Sequence, residues 1–203
     1  MIQDAEIKFE TDYDWRRMIG IYDALIEKQR AGLFDATAYS TPHVPDLVAH
    51  DIGSYGMLFT SQQLTPNEIW YVWNGQLLET VFPWSAELRQ KFGSHGINLV
   101  DFSLSRHFHS IKKHTDKKAP GVAAQGHCNL NYIVESDPES TAYFERPDGL
   151  HFYRSPKNTA WLLDSTVPHW VENEGQRIVF QLRFHSPYDQ VRECLTQYPI
   201  ELK

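Results

Sequence analysis

The chain has 203 residues, 41% of them hydrophobic and 13% aromatic, and its 19 Lys plus Arg against 26 Asp plus Glu give a net charge of −7. This length and composition suit one domain over residues 1–203, large enough to bury a core without disulfides, and argue against disorder. The negative charge argues against nucleic acid or an anionic membrane as the main partner.

The first part of the chain, residues 1–95, is predicted to be a mostly helical or irregular covering region. From Asp14 to about Leu33, apolar residues recur at helical spacing and indicate an amphipathic helix. Residues 34–51 contain prolines and small polar residues, which are typical of a loop. A second helix is predicted after Pro83, with Gly93 as its stop.

Beyond residue 96 the period of the apolar residues changes to two, as in Val100, Phe102 and Leu104. Similar runs, separated by turn sequences, follow to residue 187. These runs are 127–135, 141–145, 150–154, 159–164 and 177–184. Many short strands of this kind indicate an all-β sandwich or barrel, with a closing helix and tail over 188–203.

Cys128 and Cys194 form no close metal-ligand pair, and the N-terminal residues MIQDAEIKFE lack the basic and apolar regions of a signal peptide. We therefore expect a cytoplasmic protein with no membrane-spanning segment. The lysines at 112, 113, 117 and 118 are interpreted as a solvated loop that flanks His114.

The strongest chemical signal is the tripeptide His114-Thr115-Asp116 followed by a distant His169. In an extended segment, His114 and Asp116 leave the same face and can bind one ion. Two His and one carboxylate, with three positions left open, are the ligands of non-haem Fe(II) oxygenases. The tripeptide alone is common by chance, so the prediction depends on the ordered set.

Arg177 adds to that set because it begins the strand sequence RIVFQLRF after His169. A planar guanidinium is suited to gripping a distal carboxylate at two points. Arg183 shares the face of Arg177 by period two and is the reserve candidate. His107 and His109 fall on a face opposite His114 and are interpreted as peripheral.

These residues, in IKKHTD, AWLLDSTVPHWVEN and RIVFQLRFHSP, resemble the 2-oxoglutarate and Fe(II)-dependent oxygenases, in the aspartyl/asparaginyl β-hydroxylase-like branch that includes proline hydroxylases. The resemblance covers about residues 100–187. It implies a mainly β, cupin-like jelly roll, the double-stranded β-helix, with N-terminal helices behind one sheet. It also implies that His114, Asp116 and His169 bind iron as the catalytic centre and that Arg177 binds the 5-carboxylate of 2-oxoglutarate.

Two departures from the family pattern matter. The interval from His169 to Arg177 is shorter than usual, so the intervening turn must be tight. Where the family tends to place a basic residue near the cosubstrate, this chain has His127 and Asn129, which contact cosubstrate or substrate or else satisfy a polar interior. Arg106 and Arg183 are candidate clamps for a substrate carboxylate.

The resemblance implies a hydroxylase that consumes 2-oxoglutarate and dioxygen, and Asp116 argues against halogenation because halogenating relatives have a small residue there. We expect a small carboxylate-bearing substrate such as an amino acid. A peptidyl Asp or Asn substrate, a dioxygenase without cosubstrate, and a non-catalytic cupin-like binding module remain alternatives, and the sequence leaves the oligomeric state open.

Overall fold

The computed structural model describes residues 1–17, 19–20, 23, 57–60, 68–73, 82–107, 110–116, 128–137 and 140–202. The predicted loop over 34–51, most of the predicted helix from Asp14 to Leu33, His109 and His127 lie outside these residues. None of the helices in the described ranges has the length and apolar character needed to cross a lipid bilayer.

The described strands form two main sheets. The larger sheet has the order β10-β7-β12-β5-β4-β3 and the smaller the order β1-β9-β8-β11-β6. In the larger sheet the strands are β3 (Met57–Thr60), β4 (Glu68–Trp73), β5 (Leu99–His107), β7 (Cys128–Asp137), β10 (Ala160–Asp164) and β12 (Gln176–Phe184). In the smaller they are β1 (Ile2–Gln3), β6 (Ile111–His114), β8 (Ser140–Arg146), β9 (Gly149–Ser155) and β11 (His169–Glu172).

The strands from β5 to β12 cross between the two sheets, except at the hairpin of β8 and β9, in the pattern of a double-stranded β-helix. β5, β7, β10 and β12 lie in the larger sheet, whereas β6, β8, β9 and β11 lie in the smaller one. All pairings among these strands are antiparallel. This arrangement confirms the predicted mainly β, jelly-roll, cupin-like fold.

The outer face of the larger sheet is apolar and covered by the preceding part of the chain. Phe180 on β12 has its ring centroid 4.9 Å from that of Trp15, 5.2 Å from Phe82 and 5.9 Å from Trp84. Residues 15–17 and 19–20 are helical, and Ile19 also packs against this core. The prediction that an N-terminal helix backs the sheet through Trp15 therefore holds for the described part of that helix.

We call the residues that pack on the outer face of the larger sheet, among them Trp15, Ile19, Phe82 and Trp84, the covering layer. Helix α1 (Ser85–Ser94) completes this layer with its buried Leu88 and Phe92. The helix ends at Ser94, one residue beyond the predicted stop at Gly93, and Gly96 is the glycine that closes it. Gly96 has φ +72, its N–H donates to Gly93 O at 3.0 Å, and the N–H of Ile97 donates to Phe92 O at 2.9 Å. These bonds form a Schellman motif, which needs the left-handed conformation that glycine adopts easily.

Both chain ends join the fold. The predicted closing helix is α2 (Tyr188–Gln197), and it is followed by β13 (Ile200–Leu202), which pairs in parallel with β2 (Phe9–Thr11). The pairing of β1 with β9 is also parallel. Cys128 and Cys194 are buried free thiols, and burial raises the pKa of both.

The packing of Phe180 leads to a stability prediction. We expect Phe180→Ala to lower the free energy of unfolding by about 3–5 kcal/mol, because it leaves a cavity among the rings that cover the larger sheet. Phe152→Ala is the control, since Phe152 is only partly buried on the outer face of the smaller sheet. Urea unfolding measures both, and an equal loss in the two variants would contradict this account of the core.

Candidate metal centre

Two histidines face each other across neighbouring strands of the smaller sheet. His114 is the last residue of β6, His169 is the first residue of β11, and the two are register partners. Their ring centroids lie 4.3 Å apart with an interplanar angle of 56°. The register of one strand pair therefore brings together residues that are 55 positions apart in the chain (169 − 114).

Asp116 joins them from the segment just beyond β6. Its backbone N–H donates to Ser165 O at 3.1 Å, in the turn that precedes β11. Its Oδ1 lies 3.6 Å from Nε2 of His114 and 3.7 Å from Nε2 of His169. One ligand atom from each of the three residues lies within 4.8 Å of the others.

Hydrogen bonds to the backbone fix the tautomer of both imidazoles. Nδ1 of His114 is 2.7 Å from Lys112 O, and Nδ1 of His169 is 2.9 Å from Val167 O. A carbonyl oxygen only accepts, so each Nδ1 carries the proton and each Nε2 presents its lone pair. Burial lowers the pKa of His169, which favours the neutral form that binds a metal.

The donor set fits a divalent first-row ion. Two Nε2 lone pairs and a carboxylate oxygen converge on one point, and their spacing leaves room for an ion at roughly 2.1 Å from each. A hydrogen bond on the second nitrogen of a ligating imidazole is the usual way in which proteins orient such ligands. Three ligands leave positions open for exchangeable groups, unlike a closed structural zinc site.

The inner face of the larger sheet is mostly polar and faces the smaller sheet, which carries the two histidines. Along β12, Arg177, Val179, Gln181 and Arg183 alternate with the apolar residues of the outer face. Gln181 connects three strands, because Ser103 on β5 donates to its Oε1 at 3.3 Å and its Nε2 donates to Asn131 on β7. We call Ser103, Gln181 and Asn131 the neutral belt.

Arg177 and Arg183 lie on either side of the neutral belt. Arg177 is 3% exposed and pairs in register with His107 on β5 and Ser136 on β7. Arg183 is half-buried and pairs with Asn129. Strands β6, β10 and β12 end at the side of the barrel where β11 begins with His169. Arg183 and Asn129 therefore lie towards that side. Arg177 lies near the opposite side, just after the turn at residues 173–175.

That turn is tight, as the short interval requires. Asn173 is buried; its backbone N–H donates to Ser110 Oγ at 3.0 Å, and its side-chain amide donates to Gly175 O. The hydroxyl of Ser110 in turn donates to Asn173 O at 3.1 Å. These bonds join the end of β11 to the segment before β6 and allow β12 to begin at once.

Arg106 does not reach the interior. It pairs in register with Ile178, whose side chain belongs to the outer face, and its Nη1 lies 2.7 Å from Asp23 Oδ1. Arg106 therefore ties the covering layer to the sheet, whereas its role as a substrate clamp stays a prediction. By period two, Arg106 has the parity of Phe102 and Leu104, which belong to the outer face.

His107 is the residue whose position the sequence interpretation missed. It is 2% exposed, not peripheral, and its Nε2 lies 2.8 Å from Ser105 Oγ on the same face. Its register pairing with Arg177 places an imidazole beside the guanidinium. The signal was available, since His107 has the parity of Ser103 and Ser105 and not that of Phe102.

Comparisons with known proteins give the fold little further support. No protein-family model and no curated protein matches the chain. Among solved structures, oxalate decarboxylase from Bacillus subtilis at pH 4.6 is 10% identical with a TM-score of 0.37 over 60% of this chain and 26% of that chain. Peruvianin-I, a cysteine peptidase from Thevetia peruviana latex, is 16% identical with a TM-score of 0.32 over 43% of this chain and 52% of that chain.

This chain thus spans about a quarter of the oxalate decarboxylase chain and about half of the peruvianin-I chain. Likenesses of this size carry no argument about activity. The class of protein follows from the chain itself. A His-Asp-His cluster inside a cupin-like jelly roll is compatible with a metal-dependent cupin enzyme or with a metal-binding module of that fold.

The cluster predicts a specific metal site. We expect the purified chain to bind a single Mn(II) ion, and His169→Ala or Asp116→Ala to weaken binding by more than about 100-fold, beyond the range typical for loss of a supporting residue. The signal of free Mn(II) in electron paramagnetic resonance measures this affinity. His95→Ala is the control, because His95 stacks on Tyr198 away from the cluster. Undiminished binding in His169→Ala would rule out the site.

Proposed function

We propose that the chain is a 2-oxoglutarate- and Fe(II)-dependent oxygenase that hydroxylates an unactivated C–H bond of a small carboxylate-bearing substrate such as an amino acid. The observation that supports this proposal is the convergence of His114 Nε2, Asp116 Oδ1 and His169 Nε2 within 4.8 Å of one another, in a jelly roll whose strand β12 carries two arginines on the face opposite to its apolar side. The resemblance of the motifs to this oxygenase family points to the same activity.

Iron bound by His114, Asp116 and His169 would supply, with 2-oxoglutarate and dioxygen, the oxidising power to cleave a C–H bond. The chain's own task is to hold both organic molecules and to exclude water. With Asp116 as a ligand, the ion would keep no ligand position for a halide, so the proposed reaction is hydroxylation, or desaturation at the same centre.

Arg177 is proposed to bind the 5-carboxylate of 2-oxoglutarate at two points. His169 lies four positions before Asn173, where the turn starts, and Arg177 lies two positions after Gly175, where the turn ends. Counted from the turn, their levels in the barrel differ by about two positions, roughly 7 Å of strand. That offset suits a five-carbon diacid that reaches from a metal to a guanidinium.

Arg183 suits the substrate better than the cosubstrate. Along the barrel, Arg183 lies on the side of His169 opposite to Arg177, and its level differs from that of His169 by about four positions, or roughly 13 Å of strand. We propose that Arg183 binds a substrate carboxylate and that its register partner Asn129 supplies a hydrogen bond. Asn129 is 9% exposed, and within the described ranges its Oδ1 has no hydrogen-bond partner. His127, just before β7, remains a candidate contact to the cosubstrate.

The neutral belt is proposed to separate the two anions. Its donors and acceptors are engaged with one another, because Ser103 donates to Gln181, Gln181 donates to Asn131, and Asn131 Nδ2 lies 3.4 Å from Asn129 O. A fixed, uncharged row between two guanidinium groups keeps each carboxylate at its own arginine.

The activity is tested by turnover without substrate. The chain, incubated in air with Fe(II) and labelled 2-oxoglutarate, is expected to form succinate slowly, and addition of the right amino acid from a screen is expected to accelerate it. His114→Ala is the control for adventitious iron. Metal binding without succinate formation would favour a dioxygenase that uses no cosubstrate, and absence of both would favour a binding module.

The role of Arg177 gives a quantitative prediction. Loss of a charge-assisted contact of about 1.5–3 kcal/mol should weaken the binding of 2-oxoglutarate in Arg177→Met by roughly 10–100-fold. Arg177→Lys keeps the charge but loses the fork, so its loss should be smaller. The charge-transfer absorption of the anaerobic Fe(II) complex measures the affinity.

Arg183→Met is the matched variant, because Arg183 lies on the same face of the same strand. It should leave the affinity for 2-oxoglutarate nearly unchanged and lower the affinity for substrate. If Arg183→Met weakens the binding of 2-oxoglutarate and Arg177→Met does not, the roles of the two arginines are exchanged.

A further inference from the structure

The turn between β10 and β11, residues 164–168, holds two of the three candidate ligands. Ser165 O accepts the backbone N–H of Asp116 at 3.1 Å. Val167 O accepts the Nδ1–H of His169 at 2.9 Å. A shift of this turn would therefore move the carboxylate and release the imidazole together, whereas His114, which bonds to Lys112 O, is held independently.

Asp164 stabilises this turn through hydrogen bonds to Thr166. Its Oδ1 accepts the backbone N–H of Thr166 at 3.1 Å and the hydroxyl of Thr166 at 2.6 Å. Such local bonds from an aspartate to the residue two positions on replace the backbone bonds that a strand would make. The carboxylate is buried, so its second oxygen also needs a partner.

Arg146 at the end of β8 supplies that partner. Its Nη1 donates to Asp164 Oδ2 at 3.1 Å, its Nη2 donates to Asp189 Oδ1 at 2.8 Å, and its guanidinium lies 4.3 Å from the ring centroid of Tyr188. The side chains of Arg146 and Asp164 are 15% and 11% exposed, so the bond between them is largely sheltered from water, whereas Asp189 is exposed. A guanidinium held on one side by a ring and on the other by a carboxylate has little freedom to move.

We propose that Arg146, acting through Asp164, is a positioning residue for the candidate metal centre. The path is continuous: Arg146 fixes Asp164, Asp164 fixes the turn, and the turn orients Asp116 and His169. The inference rests on the proposed function to the extent that the cluster binds a metal. Supporting residues of this kind typically change metal affinity by about 10–100-fold when replaced.

Arg192 provides a matched control in the same layer. It also lies over Tyr188, at 5.9 Å from the ring centroid, but its Nη2 binds Asp4 Oδ1 at 3.0 Å. Tyr188 donates to Asp4 Oδ2 at 2.8 Å. Replacement of Arg192 therefore disturbs helix α2 and the N-terminal segment without removing the bond to Asp164.

The first measurement is Mn(II) affinity, with the Co(II) absorption spectrum as a report on coordination geometry. Arg146→Met and Asp164→Asn should each weaken Mn(II) binding by about 10–100-fold and alter the Co(II) spectrum. The double variant should lose little more than either single one, because both act through the same bond. Arg192→Met should keep the affinity and spectrum of the wild type even where its melting temperature falls.

The second measurement needs no metal. The Nδ1–H of His169, bonded to Val167 O, should give a slowly exchanging imidazole resonance in proton NMR, identified by its absence in His169→Gln. That resonance should be lost or broadened in Arg146→Met and kept in Arg192→Met. It tests whether Arg146 and Asp164 position His169 even if the wild type fails to bind Mn(II), a result that would count against the proposed function alone.

Wild-type Mn(II) affinity together with an unchanged His169 resonance in Arg146→Met would overturn the proposal. If Arg146→Met does not fold, Arg146→Lys carries the test, because it keeps the charge but lacks the fork that binds Asp164 Oδ2 and Asp189 Oδ1 together. A weaker affinity or a broadened resonance in Arg146→Lys supports the proposal, and wild-type values for both overturn it.

Discussion

The register between β6 and β11 is the constraint on which the candidate site depends. His114 and His169 meet because they are cross-strand partners, and a slip by one residue would turn one of them to the outer face. The tight turn at Asn173, the bonds between Ser110 and Asn173, and the pairing of β11 with β8 all fix that register. The short strand β11, which would pair weakly alone, is thus held from both sides by β6 and β8.

The two faces of the larger sheet divide the work of the protein. The outer face carries Phe102, Phe180 and Leu182, which are fully buried under the covering layer and supply the stability of the fold. The inner face carries arginine, amide and hydroxyl groups, whose burial costs free energy unless they are hydrogen-bonded. A barrel with a polar interior needs a separate apolar layer outside it, and the first part of the chain provides one.

The sequence was most informative where the chemistry repeats with a simple period. Alternation predicted the long strands of the larger sheet, and the ligand types predicted the cluster of His114, Asp116 and His169. The short strands β6 and β11 and the terminal strands β1, β2 and β13 escaped, because pairing with distant segments creates them and too few residues show a period. Strands β3 and β4 escaped as well: they lie in the region predicted to be mostly helical or irregular, and they join the larger sheet beside β5. His107 was assigned wrongly for a different reason: its face was inferred by counting from His114, across the break between β5 and β6, and not from Phe102 within its own strand.

The two cysteines have a practical consequence. Both thiols are buried and their pKa values are raised, so neither forms the reactive thiolate under ordinary conditions. A cysteine introduced at an exposed position, for example in place of Arg154 on the outer face of the smaller sheet, would be the preferred target of a thiol-directed spin label. Its distance to a paramagnetic ion in the barrel would then be measurable in solution, with no native thiol to be replaced first.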